Sequence, residues 1–256
     1  MIRHLISDAI SRLKKDKFIF APYLIFFLAL GSISNFFEFS ILQTFQKKEM
    51  IIFASIGFIE VAFKFYTLIS LNHLNKFDDL DFKIIAKTFS TKTKAMYLAY
   101  ASLSIPYYIS IYYLISQQQT VRNVLRTIFS FLPSQVNAEV HLNIETYIGL
   151  LIAIPMFCIL EFIPVSAVID KKKWRNVVKS SYYFVIHNIR AIITFFCVIT
   201  SLALSATILS IFLAVGIPII GKSILVAIVK TIFVTFSQSF LLTFYKSCRS
   251  TTSSVA

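Results

Sequence analysis

Residues 147–170, YIGLLIAIPMFCILEFIPVSAVID, are followed at 171–190 by KKKWRNVVKSSYYFVIHNIR and at 191–215 by a second apolar run. The first run holds one charge, Glu161, before it ends at Asp170. About 20 apolar residues in a helix reach roughly 30 Å, the hydrocarbon thickness of a bilayer. The segment between the runs is amphipathic: Trp174, Val177, Val178, Ser181 and Val185 share one helical face, and Arg175 and Lys179 point away from it. The pattern reads as span, cytoplasmic amphipathic helix, span.

Composition extends this reading to the whole chain. Hydrophobic residues make up 57% of the 256, charged residues only 14%, and mean hydropathy is +0.76. A soluble domain carries about 25% charged residues. The expected fold is all-α, a polytopic membrane protein forming one domain over 1–256, with six transmembrane helices at about 18–37, 50–71, 95–116, 147–169, 191–215 and 219–244. Gly216 to Pro218 reads as the tight turn between the last two.

Amphipathic segments lie outside these runs. Ile2, Leu5, Ile6, Ile10 and Leu13 are spaced for an interfacial helix, with Arg3, Arg12, Lys14 and Lys15 on its other faces. A competing reading is a cleavable signal peptide ending near Ala29, Leu30 and Gly31. Between 72 and 94, Phe77, Leu80 and Ile84 predict a second surface helix. In the longest polar connection, 117–145, the apolar stripe Val121, Val124, Leu125, Ile128, Phe129 and Leu132 predicts a short outer helix.

The net charge of +13 does not point to nucleic acid, because the basic residues fall between apolar runs and form no single groove. With a cytoplasmic N-terminus, the inner segments hold eighteen Lys and Arg and the outer segments five. The positive-inside rule then puts both termini on the cytoplasmic side. Three helix-plus-hairpin units, starting near Ile2, Leu80 and Trp174, suggest a three-fold repeat, although any hairpin entered from a basic interface has this appearance.

The runs Phe162 to Asp170 (FIPVSAVID), Trp174 to Tyr182 (WRNVVKSSY) and His187 to Arg190 (HNIR) resemble a broad group of bacterial integral membrane proteins. That group includes the inner-membrane YciC-like proteins and the membrane domain attached to some glycerophosphodiester phosphodiesterases. Residues 18–30 are similar to its first span, and the resemblance covers about half the chain. It implies a six-span envelope protein. The soluble phosphodiesterase domain of some relatives is not in this sequence, and that activity is not implied.

Charges inside apolar spans are costly unless paired or hydrated, so Glu60, Lys64, Glu161 and Lys230 are the first candidates for function. Lys64 and Glu161 fall roughly 11 and 13 Å from the inner ends of their spans, which suggests one paired layer. Glu60 and Lys230, at roughly 17 and 21 Å, suggest another. Glu60 and Lys64 are also one turn apart and can pair within their own helix. Such pairs serve as register locks or as the lining of a polar cavity. Pro106, Pro155 and Pro164 predict helix kinks.

Lys171, Lys172, Lys173, Trp174, Arg175, Lys179 and Arg190 form a basic interface expected to bind anionic lipid headgroups, each cation contributing about 1 kcal/mol. Cys158, Cys197 and Cys248 are too far apart for a metal motif, His4, His73, His141 and His187 are scattered, and no phosphate loop, HExxH or GxSxG occurs. No metal or cofactor is expected. The expected function is non-enzymatic: binding lipid or a membrane partner, with homo-oligomerisation open, in envelope organisation. The alternative is a small transporter or channel around the four charges. A membrane-embedded lipid-modifying enzyme using Glu161 and His187 is a third reading.

Overall fold

Aspartates set two of the helix starts. In the computed structural model, which describes residues 2–36, 47–117, 144–170, 173–214 and 219–253, α1 spans Ile2–Lys15 and stops at Asp16. Asp16 is extended (φ −144°, ψ 124°), and its carboxylate accepts from the Phe18 amide at 2.8 Å. This cap starts a 3₁₀ turn, Lys17–Phe20, that leads into α2, Ala21–Phe36. Helix α3 spans Lys47–Leu74. Asp81 then caps α4, Phe82–Gln117, accepting from the Lys83 and Ile84 amides at 2.9 and 3.1 Å. The remaining helices are α5, Ile144–Asp170; α6, Trp174–His187; α7, Ile189–Ala214; and α8, Ile219–Ser253. All regular structure among the described residues is helical.

Two expectations change here. The surface helix within 72–94 and the span at 95–116 are one continuous helix of 36 residues, starting at Asp81. At 1.5 Å per residue α4 reaches roughly 54 Å, well beyond a bilayer's hydrocarbon. Phe77 lies outside it, in the connecting turn, and is exposed, as is Ile84. The apolar stripe within 117–145, Lys171, Lys172 and the turn at 216–218 lie outside the described residues.

Helices α3, α5 and α8 pack on one another and form the centre; α4 covers α3 and α5, α2 lies against α8 and α3, and α7 runs along α8. Phe65, Leu68, Phe162, Ile163, Phe240 and Leu242 are buried there. Phe162 of α5 sits in a ring cluster with Phe184 (4.9 Å between centroids), Phe195 (6.1 Å), Phe244 (6.2 Å) and Tyr245 (6.3 Å), which ties α5 to α6, α7 and α8. The three prolines stand inside α4 and α5, and both helices continue through them.

Each of the three described amphipathic segments covers protein with part of its apolar face. Helix α1 buries Leu5 and Ala9 against α8, and the Ala9 carbonyl accepts from Ser239 Oγ at 3.0 Å. The apolar face expected at a membrane interface thus packs in part on α8, while Ile10 stays exposed. The first turns of α4 pack on α3, with Phe89 against Phe65 and Tyr66, both at 5.8 Å. Helix α6 packs on α5 and α4 and buries Val177, Ser181, Phe184 and Val185. Two lysines close helix ends in similar ways. Lys15 Nζ donates to the Leu74 carbonyl of α3 at 3.2 Å, and Lys92 Nζ donates to the Ala167 carbonyl of α5 at 3.2 Å and to that of Val168. A cation there complements the negative end of the helix dipole.

Two windows among the described residues are long and apolar enough to cross a membrane. They are Ile189–Ala206, with mean hydropathy 2.0 and 11% of its residues buried, and Ile224–Arg249, with 1.9 and 39%. So little burial leaves α7 with an apolar face uncovered by protein, including Ile193, Leu204, Ile208 and Leu209. Lys17–Ala29 and Ala153–Ile169 are shorter apolar helical stretches.

At one end of the bundle α1, the turn after α3 and the end of α8 are joined by cations. Arg12 Nε donates to Asn75 Oδ1 at 3.0 Å, Arg12 Nη1 to Thr243 Oγ1 at 2.6 Å, and Lys246 Nζ to Asn72 Oδ1 at 2.8 Å. Lys15 pairs with Asp78 at 2.8 Å. Burial, and then the nearby charges of Arg12 and Lys76, lower the Lys246 ammonium from 10.5 to about 8. An unfolded lysine keeps its proton up to the higher value, so Lys246 opposes folding fully below about pH 8 and the penalty is relieved between about 8 and 10.5. Thermal unfolding of the detergent-solubilised protein should therefore show stability rising through this window relative to Lys246→Gln, which lacks that slope.

Candidate functional site

Where α5 gives way to α6, the chain bends at Lys173, whose backbone (φ −57°, ψ 151°) sets α6 off beside the middle of α4. The bend opens a groove of about 570 Å³ lined by Thr91, Lys94, Ala95 and Leu98 of α4 and by Lys173, Trp174, Arg175 and Asn176. Lys94, Lys173 and Arg175 place three cations on its wall, with apolar Ala95 and Leu98 beside them. No side chain caps the N-terminus of α6 and no acidic residue stands in its first turn, so the positive end of its dipole adds to theirs. The Arg175 guanidinium lies 5.4 Å from the Trp174 ring centre, a cation–π contact that restrains both side chains.

Of the basic interface read from sequence, the structure thus gathers Lys173, Trp174 and Arg175 in one groove. Lys179 and Arg190 are exposed outside it. Sequence reasoning missed the α4 wall: Lys94 was counted only toward topology, and its distance from Arg175 along the chain hides their shared groove. The signal available was the helical spacing of Thr91, Lys94, Ala95 and Leu98.

The mid-helix charges separate into two groups. Lys64 Nζ of α3 donates to Glu161 Oε2 of α5 in an ion pair, and Lys64 is only 6% exposed. Glu60, one turn before Lys64 and on an exposed face, lies in the field of both Lys64 and Glu161. Lys230 is exposed on α8, and the expected Glu60–Lys230 layer is not formed: the ion pairs among the described residues are Lys64–Glu161 and Lys15–Asp78. Equal depth along two helices does not place them face to face.

Aromatic hydroxyls surround this group. The Tyr23 hydroxyl of α2, fully buried, has no hydrogen-bond partner among the described residues and lies in the field of Glu60 and Glu161. Tyr108 of α4 packs its hydroxyl against Gly57, where any Cβ would collide with it.

His187 is exposed at the end of α6, its Nδ1 2.8 Å from the Tyr183 carbonyl oxygen, while Glu161 is held by Lys64. No group of three or more His, Cys, Asp or Glu that could hold a metal occurs among the described residues. Cys158 and Cys248 are buried and Cys197 is exposed, and none of the three is in a disulfide.

No family model, curated protein or solved structure matches this chain.

Removing one partner of a buried pair leaves the other charge unmatched, at about 3–5 kcal/mol, whereas replacing both by apolar groups is often neutral. Glu161→Gln should therefore lower the unfolding midpoint measured in detergent, by a cost at the low end of that range because Glu161 is 30% exposed. The double variant Lys64→Met, Glu161→Leu should lie much closer to wild type.

Proposed function

We propose that this chain is a six-span protein of a bacterial cytoplasmic membrane, with both termini inside, that binds anionic phospholipid in the α4–α6 groove. The reading is non-enzymatic, a role in envelope organisation or homeostasis, which agrees with the resemblance to YciC-like proteins. The groove carries it: three cations and an uncapped helix end suit a phosphate, and Ala95 and Leu98 suit the start of an acyl chain. Trp174 sits where amphipathic rings favour the membrane interface. The exposed apolar face of α7 and the long apolar stretch of α8 support membrane location.

The packing also supports the three-unit repeat. Helix α1 covers α8, the start of α4 covers α3, and α6 covers α5, so each amphipathic segment seats on the last helix of the preceding unit, taken cyclically. Lys15 and Lys92, at matching places in the first two units, each close the last helix of their own unit.

With each cation contributing about 1 kcal/mol, losing two should weaken anionic lipid binding by roughly 30-fold. Native mass spectrometry of Lys94→Gln, Arg175→Gln with phosphatidylglycerol, against phosphatidylcholine as the neutral control, measures this. Equal retention of the two lipids by the wild type refutes the reading.

Glu60 and the buried Tyr23 hydroxyl favour a second reading, a small transporter or channel using the Lys64–Glu161 pair. It requires that Glu60→Gln abolish solute flux into proteoliposomes while protein abundance stays normal.

A further inference from the structure

The cation joint between the two chain ends lies apart from the groove and shares no residue with it. Arg12 of α1 and Lys246 of α8 are both more than half buried, and both rest on neutral acceptors: Asn75, Thr243 and Asn72. Lys76, on the turn after α3, adds a third positive charge acting on Lys246. Among the described residues, the acidic groups recorded at this end are Asp8, which acts on Arg12, and Asp78, which Lys15 already holds. Burial of Arg12 and Lys246 is thus opposed by their mutual repulsion and matched by too little negative charge.

The amide orientations point the same way. Asn72 and Asn75 turn Oδ1 toward the cations, which leaves each Nδ2 as a donor. Lys246 has two further N–H bonds, and the Arg12 fork retains Nη2. Donors of this kind gathered at one end of the bundle, with little negative charge beside them among the described residues, suit a tetrahedral oxyanion.

We propose that Arg12, Lys76 and Lys246, with Asn72 and Asn75, form a second anion site that binds a phosphate group and clamps α1 to α8. The phosphate belongs either to a lipid headgroup or to a soluble phosphate compound. This site does not depend on the lipid groove.

A ligand that binds only the folded state stabilises it in proportion to the logarithm of its concentration over Kd. The test is the unfolding midpoint of the full chain in neutral detergent, titrated with inorganic phosphate against sodium chloride of equal ionic strength, and separately with micelles containing phosphatidic acid or phosphatidylcholine. A rise with inorganic phosphate assigns the soluble source, and a rise with phosphatidic acid alone assigns the headgroup. With the groove disabled by Lys94→Gln, Arg175→Gln, so that it adds no anionic-lipid effect of its own, either rise should be lost on adding Lys246→Gln and reduced several-fold on adding Lys76→Gln, whose exposed side chain makes a folding defect easy to exclude. The rise should persist in the groove variant alone. No rise with either probe, or rises in that background unchanged by Lys246→Gln and Lys76→Gln, overturns the proposal.

Discussion

A lysine and a glutamate held against each other inside an apolar bundle constrain everything around them. Lys64 is almost wholly buried on α3, and hydration cannot be the main support for its charge. Glu161 must therefore stay opposite it on α5, which sets the rotation and axial register of the two helices. Gly57, admitting Tyr108 a few turns along, fixes the fit of α4 on the same face of α3. The hydrophobic effect alone would allow these helices to slide, because one band of Leu, Ile and Phe resembles the next.

Towards the other side of α5, shape takes over from charge. Phe162 makes four ring contacts, to Phe184 of α6, Phe195 of α7, and Phe244 and Tyr245 of α8. Both devices sit on one helix, in adjacent residues 161 and 162, so α5 serves as the common reference for the rest. After α5 ends at Asp170, the basic start of α6 at Lys173 to Arg175 lies beside α4 in the groove. The lipid-binding reading thus grows out of the same helix that carries the ion pair.

The basic residues divide their work in a way that net charge conceals. Some close helix ends, as Lys15 and Lys92 do; some line the groove, as Lys94 and Arg175 do; and Arg12 and Lys246 join the two ends of the described chain. A count of positive charge per loop orients a chain in a membrane, but it treats these roles as one.

Hydropathy and helical spacing were enough to establish an all-helical chain, its long apolar runs and the burying faces of α1 and α6, since each of these depends on residues within a few turns of one another. Residues 72–94 show where such reading stops. The aspartate cap at Asp81 joins surface helix and span into α4, and a hydropathy window sees only the change in polarity. Whether Glu60 and Lys230 face each other was not legible either, because depth along a helix carries no information on which neighbour a side chain meets. Only the tertiary structure decided that Lys64 meets Glu161, that Lys230 stays apart, and that Lys94 and Arg175 share a groove. The physical reason is the same each time: local sequence sets what a helix can bury, while the rotation of one helix against another is chosen by the whole packed set.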